Sequence, residues 1–110
     1  MDAASPDTPD TPVVTDNPAA SRYEVRIGGE LAGFVAYHLR GHRITLIHTQ
    51  VDPRFQGAGL AGRLARFSLD DARKRDLGVL PACPYIRSWI GKHPEYADLV
   101  PADRRAEFGV

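Results

Sequence analysis

Apolar and polar side chains alternate in three successive stretches that follow residue 21. The stretches run from Tyr23 to Ile27, from Leu31 to Leu39 and from Ile44 to Val51. The pairs Gly28-Gly29 and Gly41-His42 separate them and supply residues that tight turns need. A period of two that is interrupted by short turns is typical of strands paired as antiparallel hairpins. The pattern therefore predicts a meander of three antiparallel strands.

A helical period replaces this alternation between Gly59 and Arg75. Apolar or small residues recur there at spacings of three and four and form one face, made by Leu60, Ala61, Leu64, Ala65, Phe67, Ser68 and Ala72. After Gly78, the pair Val79-Leu80 predicts a short strand. Because a helix connects it to the third strand, these two strands are expected to run parallel.

A second helix is predicted after the short strand. Pro84 suits the first turn of a helix, so we expect a helix over Tyr85 to Ile90, with Gly91 ending it. A short helix or turn is expected to continue to Leu99. The predicted fold class is α+β, with a three-strand antiparallel meander, one parallel strand after a crossover helix, and helices packed on the sheet.

Composition divides the chain into three parts. Residues 1–21 are rich in Pro, Asp, Thr and Ala and contain little that a core could bury, which predicts a disordered acidic tail. We interpret this tail either as an extension without a role or as a regulatory or partner-binding segment. Residues 22–100 are expected to form one domain, and residues 101–110 a short C-terminal tail.

Charge is balanced over the whole chain but not along it. The 14 Lys and Arg residues equal the 14 Asp and Glu residues in number. Residues 1–21 contain four aspartates and no Lys or Arg, which leaves residues 22–110 with a net charge of +4. A mildly basic domain suits an anionic small ligand. Its charge is too low and too scattered to indicate nucleic acid binding.

The single cysteine and the four histidines limit the chemistry further. Cys83 has no partner for an internal disulfide and does not suggest a structural zinc site, which fits a reducing cytosol. The histidines lack the spacing of metal ligands, and His38 and His42 lie at a turn where solvation is expected. No apolar run reaches the roughly 20 residues of a bilayer span, and the N-terminus lacks a signal-peptide pattern. We therefore predict a cytoplasmic protein without a metal or a membrane partner.

The sequence VDPRFQGAGLAGRLA, residues 51–65, is the most informative stretch. It joins the third predicted strand to the first helix and has Gly57 and Gly59 at the junction. A helix N-terminus presents unpaired N–H groups and a partial positive charge, which together suit a phosphate group. The stretch lacks both the Lys-Ser/Thr of a phosphate loop and the third glycine of a dinucleotide fingerprint. Taken alone, it indicates either an anion site or a tight structural turn.

The wider context of this turn resembles a known family. Gln56, Gly59 and Ala61 match the pattern Gln/Arg-x-x-Gly-x-Gly/Ala that binds acyl-CoA in the GNAT acetyltransferase superfamily, and the preceding Val-x-Pro also matches. Together with LPACPYIRSWIGKHPEYADL, residues 23–99 resemble small stand-alone GNAT-like proteins with an N-acetyltransferase domain. The resemblance implies an acetyltransferase with acetyl-CoA as cosubstrate and an unidentified amine or protein as acceptor.

The resemblance also implies where CoA would bind. The diphosphate is expected on the backbone N–H groups of the turn, which belong to Gln56, Gly57, Ala58, Gly59, Leu60 and Ala61. The pantetheine arm is expected along the third strand near His48, Thr49 and Val51, where the third and fourth of these strands splay apart in the family. Arg54 and Arg63 flank the turn and are either phosphate contacts or solvated surface residues.

The chain lacks two parts of a full-length GNAT protein. No helical pair separates the first two predicted strands, and no closing pair of strands follows Leu99. Those parts often build the acceptor site in the family. One alternative is therefore a non-catalytic acyl-CoA-binding module that acts through a protein partner, and another is a thiol acyl carrier or slow thioesterase based on Cys83. An exposed edge strand leaves both monomer and homodimer open.

Cys83 is the first candidate catalytic residue. It is expected to be the N-cap of the second helix, where helix N–H groups and Arg87 one turn later favour a thiolate. By the family resemblance this strand end lies beside the thioester, so the sulfur could accept the acetyl group before the amine does. The alternative is a small, buried apolar residue.

His48, His93 and Tyr96 are the other catalytic candidates. His48 and Thr49 are neighbours on one strand, so only one of them faces the ligand unless a bulge intervenes. His48 is either a base, a residue that orients Cys83, or a half-buried packing residue. His93 could return toward Cys83, and Tyr96 could protonate the leaving thiolate as tyrosines in the family often do. Both could equally be packing residues that cover the sheet edge.

Overall fold

A computed structural model describes residues 11–110, and residues 1–10 lie outside the described range. Its centre is a five-stranded mixed sheet whose strands are ordered in space as they are in the chain. The strands are β1 (Pro12–Asn17), β2 (Arg22–Ile27), β3 (Glu30–Arg40), β4 (Arg43–Val51) and β5 (Gly78–Pro81). The α-helices are α1 (Leu60–Lys74), α2 (Pro84–Lys92) and α3 (Arg105–Phe108). Short 3-10 helices occupy Pro18–Ala20, Pro53–Phe55, Pro94–Leu99 and Ala102–Arg104.

The predicted meander and crossover are confirmed. β2, β3 and β4 pair antiparallel in chain order, and β5 pairs parallel with β4 after α1. The second helix is longer than the sequence predicts, because Gly91 lies within its last turn instead of ending it. A glycine inside a helix costs only about 1 kcal/mol relative to alanine. Burial of Ile86 and Ile90 in the same helix offsets that cost.

The main correction concerns the N-terminal region that the disordered-tail prediction covered. Residues 12–17 form β1, an edge strand that pairs antiparallel with β2. Pro12 begins the strand, a position at which proline is tolerated. The Tyr37 hydroxyl donates a hydrogen bond of 2.7 Å to Asp16 Oδ1. Backbone pairing and this contact hold a segment whose composition alone indicates disorder. Residues 1–10 of that prediction lie outside the described range.

The C-terminal residues are also folded, so the prediction of a tail over residues 101–110 is wrong. A 3-10 helix and α3 occupy most of them. Phe108 is buried, and the guanidinium groups of Arg87 and Arg104 lie 5.9 and 5.5 Å from its ring centroid. Burial of the Phe108 ring and its cation–π contacts with two arginines explain why this short segment packs on the domain.

The hydrophobic core lies between one face of the sheet and the helices. Tyr23 of β2 contacts Phe67 of α1, with ring centroids 5.8 Å apart. The buried face of α1 consists of Leu60, Leu64, Ala65, Ser68, Leu69 and Ala72. Ser68 is satisfied inside this face, because its hydroxyl donates to the Leu64 carbonyl at 2.6 Å. No helix among the described residues combines the length and the apolar character of a membrane span.

A β-bulge in β4 changes which side chains face the core. Two consecutive β3 residues pair with His48 and Leu46, so Ile47 has no partner in the register. One extra residue reverses the alternation of side chains along a strand. Leu46 is fully buried before the bulge, whereas Ile47 is 46% exposed. After the bulge, Thr49 and Val51 face the helix side of the sheet.

Candidate functional site

The turn between β4 and α1 leaves open space above its backbone. Asp52 opens the turn by capping a 3-10 helix, and its carboxylate accepts a hydrogen bond of 2.9 Å from the Arg54 N–H. Gly57 and Gly59 have φ angles of +89° and +73°, which residues with a Cβ adopt only at a cost. A Cβ on either glycine would meet no atom within 4 Å. The glycines therefore serve the backbone conformation and leave the surface over the turn open.

The start of α1 presents a row of unpaired backbone donors. The helix's first hydrogen bond runs from Arg63 N to Gly59 O at 3.2 Å, and the N-cap Gly59 has no side chain that could accept from the first turn. Within the described residues, no N–H group from Gly57 to Gly62 has a protein acceptor. These donors and the helix dipole together make a site for an anion.

An open cavity of about 320 Å³ lies against these donors. It is lined by Val51, Phe55, Gln56, Gly57, Gly59, Leu60, Ala61, Gly62 and Tyr85. The Leu60 side chain is buried in the core, so only its backbone is available to a ligand. Ala58 lies between the two glycines of the same turn and is exposed. The combination of exposed backbone, aromatic rings and one hydroxyl suits a ligand with both charged and apolar parts.

The last part of β4 has a free edge next to this cavity. The ladder between β4 and β5 ends at the pair Leu46 and Pro81. Cys83 N then donates to the Leu46 carbonyl at 2.8 Å. From there β4 continues to Val51 with no strand on that side in the described part of the chain. Backbone groups on such an edge can bind an extended ligand that contains amides.

Cys83 lies where β4 and β5 separate. It is the N-cap of α2, which confirms the predicted position, and it is only 3% exposed. The Thr49 hydroxyl oxygen lies 3.3 Å from its sulfur, and either group can be the donor. The Arg87 guanidinium, which was expected to favour a thiolate, donates to the carbonyls of Pro81 and Ala82 at 3.3 and 3.0 Å. The hydroxyl of Thr49 is thus the polar side-chain group in contact with the Cys83 sulfur.

His48 lies on the other face of the sheet. Its Nε2 is 3.4 Å from Gln50 Oε1, and its ring meets Phe34 edge-on with centroids 6.2 Å apart. The bulge at Ile47 directs Thr49, and not His48, toward Cys83. Of the three roles considered for His48, orientation of Cys83 would need a contact that is not formed, and the residue is exposed rather than half-buried.

The two candidates after α2 lie away from Cys83. Nine helical residues separate Cys83 from His93, which is about 14 Å at 1.5 Å per residue. His93 stacks on Trp89 with ring centroids 3.7 Å apart, and its Nδ1 is 2.8 Å from the Trp89 carbonyl. The Tyr96 hydroxyl donates to Asp70 Oδ1 at 2.8 Å. His93 therefore does not return to Cys83 and instead packs on Trp89. The proton of Tyr96 is directed to α1 rather than to a thiolate beside Cys83.

Tyr85 is a candidate that the sequence analysis missed. It follows Cys83 by two residues, lines the cavity and is 40% exposed. Burial, and then the negative charge of a nearby Cys83 thiolate, raise the pKa of its hydroxyl. A phenol with a raised pKa keeps its proton at neutral pH and can donate it. The sequence signal that could identify Tyr85 is its position in the first turn of α2, two residues after the N-cap Cys83.

The two arginines beside the turn differ in their partners. Arg54 pairs with Asp52 at 3.0 Å and with Glu30 at 2.9 Å. Hydrogen bonds to these carboxylates raise the pKa of its guanidinium, and their charges neutralise it. Arg63 is exposed in the first turn of α1 and forms no ion pair within residues 11–110. Of these two residues, Arg63 has the charge that is free for a phosphate.

Comparison with known proteins gives the same family for most of the chain. Residues 22–99 match the family model described as GCN5-related N-acetyl-transferase. The chain is 32% identical to Protein NATD1 of Bos taurus over 97 residues, which are 84% of this chain and 86% of that protein.

Two solved structures share the fold. A GCN5-like protein from Staphylococcus aureus, solved in solution by NMR, superposes with a TM-score of 0.63 at 16% identity, over 81% of this chain and 87% of that chain. Ribosomal-protein-alanine N-acetyltransferase from Brucella melitensis biovar Abortus 2308 superposes with a TM-score of 0.51 at 23% identity, over 74% and 61%. At these identities the likeness concerns the fold. With the family match and the similarity to NATD1, the chain belongs to the GCN5-related N-acetyl-transferase (GNAT) family.

Proposed function

We propose that this protein is an acetyl-CoA-dependent N-acetyltransferase that acts on an amine. One observation carries the proposal, which is that three features follow one another from the start of α1 along β4 to the start of α2. The N–H groups of residues 57–62 are unpaired, the edge of β4 is free beyond Leu46, and Cys83 lies at the base of that edge. An anion site that continues into an amide-binding edge and ends at a thiol fits a CoA thioester.

The residues around the cavity fit acetyl-CoA part by part. The row of N–H groups suits the diphosphate, and Arg63 adds a free positive charge in the same helical turn. The free edge at Thr49 and Val51 suits the amides of the pantetheine arm. The bound cosubstrate would supply the reactive thioester. The protein supplies the donors that orient it and the hydroxyl and thiol groups near its end.

Cys83 is the proposed first acceptor of the acetyl group. Its sulfur forms a bond to the acetyl carbon while the bond from that carbon to the CoA sulfur breaks, and the thiol proton ends on CoA. A neutral amine then attacks the acetyl carbon, the bond to Cys83 breaks, and a proton from the amine returns to the thiol. Each step conserves atoms and charge and needs no oxidant or metal.

Two hydroxyl groups support this chemistry. Tyr85 lines the cavity and is protonated at neutral pH, so it can give its proton to the leaving CoA sulfur and take up the proton that Cys83 loses. Thr49 can donate to the Cys83 sulfur across 3.3 Å. A thiolate has no proton to give, so the hydroxyl becomes the donor once Cys83 loses its proton.

A non-catalytic acyl-CoA-binding module is the second candidate function. The observation that favours it is the setting of Cys83, because no carboxylate or imidazole within the described residues contacts its sulfur. His48 is on the other face of the sheet, and His93 is one helix length away. Without such a base, the same cavity could hold acyl-CoA for a protein partner without turnover.

Intact mass spectrometry after incubation with acetyl-CoA, with calorimetric binding of CoA, tests the proposal. We expect CoA to bind and one acetyl group to be added, and we expect Cys83→Ser to bind CoA but lose the adduct. Binding and amine acetylation without an adduct would replace the covalent route by direct transfer. Binding with neither adduct nor acetylated amine would favour the module. Absence of CoA binding would overturn the proposal.

A further inference from the structure

A groove between β1 and the first half of α1 opens where β1 begins. It has a volume of about 300 Å³ and is lined by Pro12, Val14, Arg63, Arg66, Phe67 and Asp70. Val14 and Phe67 are partly buried against the core and give the groove an apolar floor. Pro12 is the first residue of β1, so the segment that precedes the strand joins the domain beside this groove.

Arg63 is the cation of the groove that no carboxylate neutralises within residues 11–110. Arg66 differs, because it donates to Tyr96 Oη at 3.2 Å and that hydroxyl donates to the Asp70 carboxylate at 2.8 Å. Arg63 lies in the first turn of α1 and is exposed. An acidic segment in the groove is therefore expected to pair with Arg63 rather than with Arg66.

β1 and α1 run in the same direction on either side of the groove. At the C-terminal end of both elements, the Arg75 guanidinium lies 3.5 Å from the Asp16 carboxylate. At their N-terminal ends, Pro12 and Arg63 line the same groove. The direction of β1, followed backward from Pro12, therefore leads along the first turn of α1 to the glycine turn, which is defined here as residues 57–59.

The sequence before β1 supplies charge that is complementary to this end of α1. Residues 1–10 contain Asp2, Asp7 and Asp10 and neither Lys nor Arg. Asp7 and Asp10 belong to the repeat DTPDTP, residues 7–12. Each proline of the repeat disfavours a helical conformation of the threonine before it, so the repeat favours extended backbone. In such a backbone the two aspartates are spaced about 10 Å apart.

The rise per residue puts Asp10 level with Arg63 when the direction of β1 is continued. Arg63 precedes Arg75 by twelve residues, or about 18 Å at 1.5 Å per helical residue. Asp10 precedes Asp16 by six residues, or about 20 Å at 3.3 Å per extended residue. Asp7 is about 10 Å further along the chain, and that length reaches the unpaired N–H groups of the glycine turn.

We propose that residues 1–10 dock at this groove and compete with CoA, with the Asp10 carboxylate on the Arg63 guanidinium and the Asp7 carboxylate on the N–H groups of the glycine turn. The competition rests on the proposed function, because that function assigns the same cation and the same donors to the diphosphate. Docking itself needs only the charges and the geometry. A diphosphate carries more negative charge than one carboxylate, so bound CoA displaces the segment.

The first experiment observes docking without CoA. Amide NMR spectra of the full chain are compared with those of the double variant Asp7→Asn/Asp10→Asn. The amides of Gly57, Gly59 and Arg63 are distant from both substitutions in the sequence, so their signals change only if the segment lies on them. We expect these signals to differ between the two proteins at low salt. The difference should disappear in about 1 M NaCl, because salt screens exposed charges.

The second experiment measures competition by calorimetry with CoA. The variant Asp7→Asn/Asp10→Asn should bind CoA about threefold more tightly than the wild type at low salt, the size expected when one exposed charge pair no longer occupies the site. Asp76→Asn/Glu95→Gln is the matched control. It removes the same charge from two exposed residues near the C-terminal end of α1 and should leave the affinity for CoA unchanged.

The outcomes separate this inference from the function on which it rests. Identical amide signals at Gly57, Gly59 and Arg63 would overturn docking and leave the proposed function intact. Changed signals with equal affinities of the wild type and the variant for CoA would overturn competition, as would an equal gain of affinity in the control variant. Changed signals without CoA binding by either protein would support docking and overturn the proposed function.

Discussion

The two ends of α1 differ in whether their polar groups have hydrogen-bond partners. At the N-terminal end, the backbone donors from Gly57 to Gly62 have no acceptor within the described residues. At the C-terminal end, Asp71 accepts hydrogen bonds from Tyr23 Oη at 2.7 Å and from Arg75 at 3.1 Å. Arg75 also reaches the carboxylate of Asp16 on β1 at 3.5 Å. One end is left open to solvent, and the other is connected to the sheet by a network.

This difference separates stability from binding within one helix. Unpaired donors at a helix start contribute little to folding and favour an anion that replaces water. Partly buried hydrogen bonds to carboxylates contribute to folding and leave nothing for a ligand. We therefore expect changes at the glycine turn to affect CoA binding most, and changes in the network around Asp16 and Asp71 to affect unfolding most.

The largest effect is expected from Gly59→Val. The φ angle of +73° at the N-cap disfavours a β-branched residue, and the side chain would fill the open space over the donors. We expect a stability loss of about 1–2 kcal/mol from the backbone and about a 100-fold loss of CoA affinity, as two charge-assisted hydrogen bonds are removed. Calorimetry with CoA and thermal unfolding measure the two effects.

Gly41→Val is the matched control for this prediction. Gly41 lies at the turn between β3 and β4, has a φ angle of +60°, and also has no neighbour within 4 Å of a Cβ. The backbone strain is thus similar, and the site lies at the other end of β4. Stability should fall as in Gly59→Val while CoA affinity stays unchanged. Equal losses of affinity in the two variants would mean that strain alone weakens binding.

The turn and the meander could be predicted because their signals are local in the sequence. Alternation over a few residues, glycine pairs and a helical period each identify an element without knowledge of its neighbours. β1 was missed because Val13 and Val14 are adjacent rather than alternating, and Pro12 and Asp16 disfavour a strand. What holds this strand is pairing with β2 and a hydrogen bond from Tyr37, and both are long-range contacts.

The candidate site could be predicted in part for a similar reason. The residues of the turn and the cap at Cys83 follow from local sequence. The orientation of His48 and Thr49 depends on a bulge at Ile47, which the sequence does not mark. The separation of Cys83 from His93 follows from the full length of α2, which continues to Lys92 instead of ending at Gly91 as predicted.

The second prediction concerns the network and high pH. Burial, and then a hydrogen bond to Asp16, raise the pKa of Tyr37 from 10.0 to about 12. The folded state thus holds the proton more strongly than the unfolded state. Its contribution is complete below pH 10.0 and is lost as the pH rises to about 12. The pKa of Tyr23 is raised in the same direction by burial and by Asp71. We expect the unfolding temperature to fall steeply over this pH window.

Tyr37→Phe isolates the contribution of one hydroxyl. At pH 7 the variant should lose about 1 kcal/mol of unfolding free energy with its hydrogen bond to Asp16. Between pH 10 and about 12 its unfolding temperature should fall less steeply than that of the wild type. Tyr85→Phe is the control for the loss at pH 7 only, because no hydrogen bond joins that hydroxyl to another described residue. An unchanged pH slope in Tyr37→Phe would remove Tyr37 from the network.

The smallest effect is expected from Thr49→Val, which tests whether the open end of α1 leads to a reactive thiol. Valine keeps the shape of threonine and removes the hydroxyl that lies 3.3 Å from the Cys83 sulfur. Loss of a hydrogen-bond donor to the Cys83 thiolate lowers the fraction of sulfur that is thiolate, but it also makes each thiolate more nucleophilic. Because the two effects partly cancel, a tenfold loss of thiolate slows its attack by only about threefold. We expect that slowing in the rate of acetyl adduct formation, with unchanged CoA affinity. Thr49→Ser retains the hydroxyl and should restore the rate. A slow serine variant and a fast valine variant would show that packing of the methyl group, and not the hydroxyl, supports Cys83.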